Sequence, residues 1–461
     1  MANVLVNEKT LKAIADAVRA QGGTSALMKP GEIPDAVSRI PSGGSAADMS
    51  LPVRFFDYDG TLLYSFSLEE LAGLERLPDL PFHEGLVCKG WNWSLEDLKA
   101  TNREMNVAAQ YVTDDGATRF YVTLDEDMLE SQVSFGQSFS NGVKVDWGDG
   151  SELETAEGWN YNRITLTHRY QKAGEYVLRF LPQEDNMVMF MGSYSEGSYV
   201  FTAGKKSKEE NMKYLSAVRK IEVGRNVKEL ASYCFCCFSR LETVTLEKTD
   251  GLFGNGIVKC CYGLKFLGIP DNLESIPRYL CEQCISLKNV SVPNGIVTIP
   301  DNAFSECHSL EKITMPETVT SLGKFALNEC LAMKELYLPE KVSAIEGSIF
   351  RKDWLLEGIR LTDGITEIPD NAFSGCHMLT ELVIPAAVTA ITKYAFENCK
   401  GMKRYYFLPV LPPKLSGATV FNGIPEDCKI YVPKGSLEAY QTADSWSNFA
   451  SYMVEMEGDV P

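Results

Sequence analysis

The chain has 461 residues, 45% of them hydrophobic. That length suits about three domains of ~150 residues, and the composition is that of ordinary globular protein. Its 44 basic and 62 acidic residues leave a formal charge of −18, which repels nucleic acid phosphates and anionic lipid. No apolar run reaches the ~18 residues that would cross a bilayer, so neither nucleic acid binding nor membrane insertion is expected.

Residues 1–45 read as a helical head and linker. Apolar Leu11, Ile14, Ala15 and Val18 fall on one helical stripe. Asn7 is placed to cap that helix, and Gly22-Gly23 to end it. A second short helix is expected over 34–40, and 41–45 (PSGGS) is a flexible linker. The opening residues lack the basic start, apolar stretch and cleavage site of a secretory leader, and the end, EMEGDVP, carries no wall-sorting signal or apolar anchor. The expectation is synthesis in a cytosol without export by the usual route.

Residues 51–102 read as a small β/α unit. Two β-rich runs flank Asp59-Gly60, a favoured hairpin turn. LEELAGL is helical in pattern, Pro78 and Pro81 mark an extended stretch, and Trp91 and Trp93 alternate as in a strand. Residues 103–182 hold short alternating runs (TRFYVTLD, VKVDWGDGS, ITLTHRY, EYVLRFLP) separated by turn residues, the pattern of a small β-sandwich. Residues 183–215 read as a connector.

From 216 to 428 the chain repeats every 23 residues. Hydrophobic hexads start at Val218, Leu241, Leu264, Leu287, Leu310, Met333, Leu356, Leu379 and Met402 without a slip. A fixed period of this size predicts a solenoid of about nine units. In each unit the first, fourth and sixth residues are apolar, as in a half-buried strand. A second extended segment follows, with Ile276, Ile299, Leu322, Ile345, Ile368 or Ile391, and then a short helix is expected. Cys261, Cys284, Cys307, Cys330, Cys376 and Cys399 form a column three residues before a strand start, interrupted by Phe238 and Asp353. Buried thiols packing as small hydrophobes account for such a column. Residues 429–461 read as a closing strand and helix.

The repeat in IPDNAFSECHSLEKITMPETVTSLGKFAL resembles the BspA-like class of leucine-rich repeats. That class is associated with binding and adhesion, and the last segment looks like its usual cap. VKVDWGDGSELETA…ITLTHRYQKAGEYVLRF resembles the PKD-type immunoglobulin-like domain in Asp146, Trp147, Gly148, Asp149, Gly150, His168, Tyr170, Gly174 and Tyr176. These residues are fold-makers there. LVNEKTLKAIADAVRAQGGTSALMKPGEIPDAVSRI, and then VRFFDYDGTLLYSF…LPFHEGLVCKGWNWSLEDL, look like segments of tail and baseplate-associated proteins of phages of Gram-positive hosts. Taken together, these imply a multidomain, β-rich chain: helical head, immunoglobulin-like sandwich, then a leucine-rich-repeat solenoid with a C-terminal cap.

Several motifs imitate chemistry. FFDYDGTLL copies the first motif of haloacid-dehalogenase-type phosphatases, in which Asp57 would attack phosphate and Asp59 would move the proton. No α/β scaffold, later lysine or acidic pair accompanies it, so a hairpin turn is the better reading. His83, His168, His308 and His377 lack metal spacing, and His308 and His377 read as solvated turn residues. Asp146 and Asp149 offer too few oxygens for calcium. Trp91 and Trp93 suit core packing better than sugar stacking. The cluster Cys234, Cys236, Cys237, Cys260, Cys261, Cys281 and Cys284 contains half of a zinc pattern in Cys281-x-x-Cys284, without a second half.

No enzyme activity, cofactor or metal is therefore expected. The chain reads as a tail-associated receptor-binding protein of a virion. The head would dock it to other tail or baseplate subunits as a homo-oligomer, and the solenoid would contact a bacterial surface glycan or protein. A bacterial surface adhesin is the alternative. The candidate binding residues lie at outward strand positions: Lys288, Asn289, Lys312, Lys334, Glu335, Tyr337, Arg360, Glu381, Arg404 and Tyr406.

Overall fold

The computed structural model describes residues 50–458 apart from 58–59, 75, 82–85, 102–103, 114–115, 139–141, 159–162, 183–187, 191, 194–196, 199, 204–207, 226 and 247–251. The helical head expected at 1–45 lies outside the described residues. The chain divides after Asp115 into two compact units.

In the first unit, β1 (Val53–Phe56) and β2 (Leu62–Phe66) form the hairpin that the Asp-Gly turn predicts. The Asp57 amide donates to Thr61 O at 2.8 Å, and the Gly60 amide to Asp57 O at 3.1 Å. Strands β3 (Leu86–Trp91) and β4 (Met105–Thr113) complete a sheet of order β2-β1-β4-β3. The stretch 105–113, expected to open the sandwich, thus pairs with the small unit: its Val107 and Ala108 lie beside Phe55 and Phe56 in parallel register. Helix α1 (Leu68–Gly73) starts on a capping box, in which Ser67 accepts from the Glu70 amide and Glu70 accepts from the Ser67 amide. Helix α2 is Leu95–Thr101. The core is Val53, Phe55, Leu71, Leu98, Met105 and Val107.

The second unit starts as two facing sheets. Strands β5 (Thr118–Leu124), β7 (Val143–Asp146), β8 (Glu154–Thr155) and β10 (Gly174–Pro182) form one; β6 (Glu130–Gln137), β9 (Ile164–Arg169) and β11 (Val188–Phe190) belong to the other. These sheets do not end where the repeats begin. Val218–Val223 pairs antiparallel with β5 on one side and parallel with Thr243–Leu246 on the other. Val227–Leu230 adds in parallel to β11 and then to Leu252–Phe253. The expected connector at 183–215 is thereby built into the sheets through β11 and Phe201–Thr202. The reason is edge chemistry: the first solenoid strands carry unpaired amides and carbonyls that the sandwich strands satisfy. Phe120 meets Phe180, Phe190 and Phe235 at 5.5–5.8 Å, so one aromatic core crosses the junction.

The solenoid has about ten turns. Its two parallel strand ladders keep the 23-residue period: Asn289 pairs with Lys312, Glu335 with Gly358, Glu381 with Arg404, and Thr298 with Ser321. The third segment is not the expected helix. Two left-handed positions recur in each turn, as at Asn302 and Glu306 (φ 56° and 58°) or Ser348 and Lys352 (φ 59° and 62°). Their effect shows in the amides of one turn. Asn302, Phe304 and Glu306 donate to Lys324, Ala326 and Asn328 of the next turn, while Ala303 and Ser305 donate back to Pro300 and Asn302. Alternate amides thus serve the neighbouring turn, which a helix would not allow, and every turn satisfies the next.

Phe350, Phe373, Phe396 and Phe421 stack down the interior at 5.2–5.8 Å. The cysteine column lies beside them. Each of Cys261, Cys284, Cys307, Cys330, Cys376 and Cys399 donates its thiol to a carbonyl 26 residues earlier, at 3.1–3.5 Å. The column therefore closes buried carbonyls as well as filling volume. At the far end, Lys429–Val432 and Met453–Glu455 extend the strand ladder. Tyr440 and Trp446 cover the last turn, donating to Pro409 O and Pro413 O at 2.6 and 2.7 Å.

Candidate functional site

The sequence-derived binding residues lie along the first strand ladder. Lys288, Asn289, Lys312, Lys334, Glu335, Tyr337, Arg360 and Arg404 are exposed, while Glu381 and Tyr406 are half-buried. Much of their charge is spent on neighbouring turns. Lys288 pairs with Glu311 at 3.2 Å, Arg404 with Glu381 at 3.0 Å, and Arg360 approaches Glu340 at 3.9 Å. Exposed pairs of this kind contribute about 1 kcal/mol or less each. Tyr406 stacks on Tyr431 at 5.0 Å. Tyr337 stands furthest out, 77% exposed, its hydroxyl donating to Glu335 at 2.9 Å.

A more concave site lies on the turn face, where the sequence reading placed none. Three consecutive turns contribute three repeat positions each: Arg351, Ser374 and Glu397; Lys352, Gly375 and Asn398; Trp354, His377 and Lys400. They line an open cavity of about 300 Å³. Gly375 creates the space, because its position carries Gln283, Glu306 or Lys352 in other turns. Its φ of +79° is the left-handed conformation that Lys352 also adopts. A Cβ at Gly375 would meet Lys352 Cγ at 3.5 Å, an ordinary contact. A larger residue therefore has room and fills the hole, although at this φ its backbone is strained.

Trp354 and His377 form one wall, with parallel rings 6.1 Å apart. Trp354 is 46% exposed. Burial, and then the charge of Lys400, lower the His377 pKa. Lys352 is held at 2.8 Å from Glu329, and Arg351 reaches the same carboxylate at 3.8 Å. Glu397 accepts from Asn422 Nδ2 at 2.8 Å. The lining holds three cations (Arg351, Lys352, Lys400) against one carboxylate (Glu397), on a chain whose net charge is −18. His377 lies in a turn, as expected, and its half-buried ring also stacks beside Trp354. The repeat itself carried the signal, since Trp354, His377 and Lys400 succeed one another at 23 residues.

The other motif residues have structural partners. Arg179 Nε donates to Asp146 Oδ2 at 2.9 Å, and His168 Nε2 lies 2.7 Å from Asp149 Oδ2. Both carboxylates thus have side-chain partners within the module. His168 stacks on buried Trp147 at 4.8 Å, and Tyr170 donates to Trp147 O at 3.1 Å. A Cβ on Gly148 would lie 2.5 Å from Val177 O, so only glycine fits that turn. Trp91 meets Phe55 at 4.9 Å and donates to Pro78 O, and both Trp91 and Trp93 pack on the core of the first unit. Asp57 is buried at the hairpin, whereas Asp59 and His83 lie outside the described residues.

No curated protein matches the chain. Among solved structures it is similar to a leucine-rich repeat protein from Bacteroides ovatus, at 18% identity over 62% of this chain and 90% of that one, with a TM-score of 0.32. A leucine rich cell surface protein from Faecalibacterium prausnitzii aligns at 17% identity over 50% and 81%, TM-score 0.25. The pneumococcal vaccine antigen PcpA aligns at 15% over 59% and 83%, TM-score 0.29. No helix among the described residues is long and apolar enough to cross a membrane. Residues 189–288 and 274–403 match, in six copies, the BspA type leucine rich repeat region, and the solenoid built from them is a BspA-type leucine-rich repeat array.

Proposed function

We propose that the chain is a non-catalytic recognition protein of a bacterial surface, of the adhesin kind, that binds its ligand in the cavity of the turn face. The observation that carries this reading is the pairing of an exposed aromatic wall, Trp354 on His377, with Arg351, Lys352 and Lys400 around one opening. A ring placed flat on Trp354 while an acidic group meets the cations is the contact such a lining makes best. The ligand class is an acidic glycan or a peptide with an acidic side chain. Tyr337 and its neighbours on the strand ladder supply a second, weaker contact surface. The two-sheet module is read as PKD-type, a spacer and cap, since Asp146, Trp147, His168 and Tyr170 interlock there and leave no free chemistry.

A second reading, a phage tail or baseplate-associated receptor-binding protein, rests on the sequence of 1–45 and 51–102. Location separates the two. Antibody to the chain is expected to label intact producing cells. Labelling confined to released virions would replace the adhesin reading with the tail reading. Labelled full chain that saturates on no cell, wall or host-matrix preparation would remove both.

A further inference from the structure

Three thiols gather near the start of the solenoid at positions outside the core's cysteine column. Cys236 occupies the repeat position that later turns fill with Lys259, Glu282, Ser305 and Arg351. Cys237 and Cys260 occupy the position filled by Gln283, Glu306, Glu329 and Lys352. Apart from Gly375, the other turns meet both positions with polar side chains, so filling the core does not account for cysteine here. Cys261 and Cys284 belong to the column, and their thiols close backbone carbonyls at 3.1 and 3.2 Å, whereas the Cys260 thiol donates to Gln283 Oε1 at 3.1 Å.

The Sγ atoms of Cys236, Cys237 and Cys260 all lie within 4.8 Å of one another, and those of Cys236 and Cys237 are 3.2 Å apart. The backbone holds them in place. Cys237 and Cys260 are both left-handed, at φ 65° and 60°, and the Cys237 amide donates to Lys259 O at 2.9 Å, which locks adjacent turns together. Cys236 and Cys260 are buried, while half-buried Cys237 gives access.

We propose that Cys236, Cys237 and Cys260 form a three-thiolate site for one thiophilic cation, Cu(I) in first place. Soft thiolate ligands select such ions. Zinc sites of this kind almost always take four ligands, and the cluster holds three thiols. Sulfurs ~2.3 Å from a central ion, the usual metal–thiolate distance, sit about 4 Å apart in a trigonal plane; all three lie within 4.8 Å of one another, and the 3.2 Å Cys236–Cys237 pair opens on binding. Binding forms three S–Cu bonds and releases three thiol protons, with no change of oxidation state. The site then carries −2 (+1 from copper, −3 from sulfur); Lys259, next to Cys260 in sequence, is already paired with Glu282.

The test uses the full chain, reduced and free of oxygen, titrated with Cu(I) in acetonitrile and then challenged with bathocuproine disulfonate. The expected result is one equivalent of Cu(I) retained, with a near-ultraviolet thiolate-to-copper band. The triple variant Cys236→Ser, Cys237→Ser, Cys260→Ser is expected to retain none while keeping its circular dichroism. If the triple variant fails to fold, Cys237→Ser alone decides, with at least a tenfold loss of affinity expected. Surrender of all copper by the native chain, or an unchanged equivalent in either serine variant, overturns the site. Retention of Zn(II) in place of Cu(I) overturns the choice of ion.

Discussion

Asp353 takes a place that cysteine fills in six other turns, and its carboxyl is wholly buried. Oδ1 accepts from the Cys330 amide at 2.8 Å, while Oδ2 has no partner. Burial holds its pKa well above the usual carboxylate range. The raised value adds a proton-linked cost to stability above the unfolded value near pH 3.8 that is absent below it, on top of the cost of the unpartnered oxygen. A thiol at this position donates to a carbonyl and accepts the preceding column amide. Asp353→Cys is therefore expected to stabilise by about 1–3 kcal/mol at pH 7, the usual cost of an unsatisfied buried polar group, or more. The proton-linked part of the gain should disappear below about pH 4, so that thermal unfolding shows a smaller gain at pH 3 than at pH 7. An equal gain at pH 3 and pH 7 would contradict the account. Asp149 has the opposite sign. Against the penalty of burial, bonds from Ser151 and His168 lower its pKa from 3.8 to about 2. Its contribution is complete above about pH 4 and is lost as pH falls toward 2, and Asp149→Asn should flatten that acid limb. The column that frames Asp353 is plain in the sequence, as is the interruption. What is not plain is that the thiols bond to carbonyls, because 26-residue partners appear only once the turns are stacked.

At the scale of elements, the strand ladders follow directly from the alternation in each hexad, and the pairing register equals the sequence period. The third segment reads as helix because Phe304, Phe350, Phe373 and Phe396 recur beside small and polar residues, while Pro300, Gly347, Pro369 and Gly375 interrupt it only in some turns. Left-handed Asn302, Glu306 or Lys352 carries no glycine signal. The same ladder makes each turn dependent on its neighbours. Phe373 is packed between Phe350 and Phe396, and Phe373→Ala should cost about 3–5 kcal/mol, measured by denaturant unfolding. A cost under 1 kcal/mol would mean the aromatic stack is not a source of stability. The sandwich is expected to be part of the same cooperative unit. A chain starting at 218 exposes the edges that β5 and β11 cover, and it should aggregate where the intact chain stays monodisperse by light scattering. A monomeric fragment with unchanged unfolding temperature would refute the capping role.

Over the whole molecule, charge and repetition act together. A chain of −18 net charge concentrates three cations around one cavity, and repetition at 23 residues brings them there from separate turns. The outward strand residues were legible one by one, since alternation names them. The cavity was not, because it needs Gly375, Trp354 and Lys400 from three different turns to be seen as neighbours. The central claim is that this cavity takes an acidic ligand. The most direct measurement is binding of the full chain to an array of acidic and neutral saccharides, beside Gly375→Gln. That variant copies the residue found at the same position in Gln283 and fills the cavity, at the cost of a side chain on a left-handed backbone. The account predicts that acidic sugars bind the native chain and lose at least tenfold in affinity, about 1.4 kcal/mol, with Gly375→Gln, while circular dichroism shows the solenoid still folded. Binding of acidic sugars that is unaffected by filling the cavity, or binding of neutral sugars alone, would contradict it.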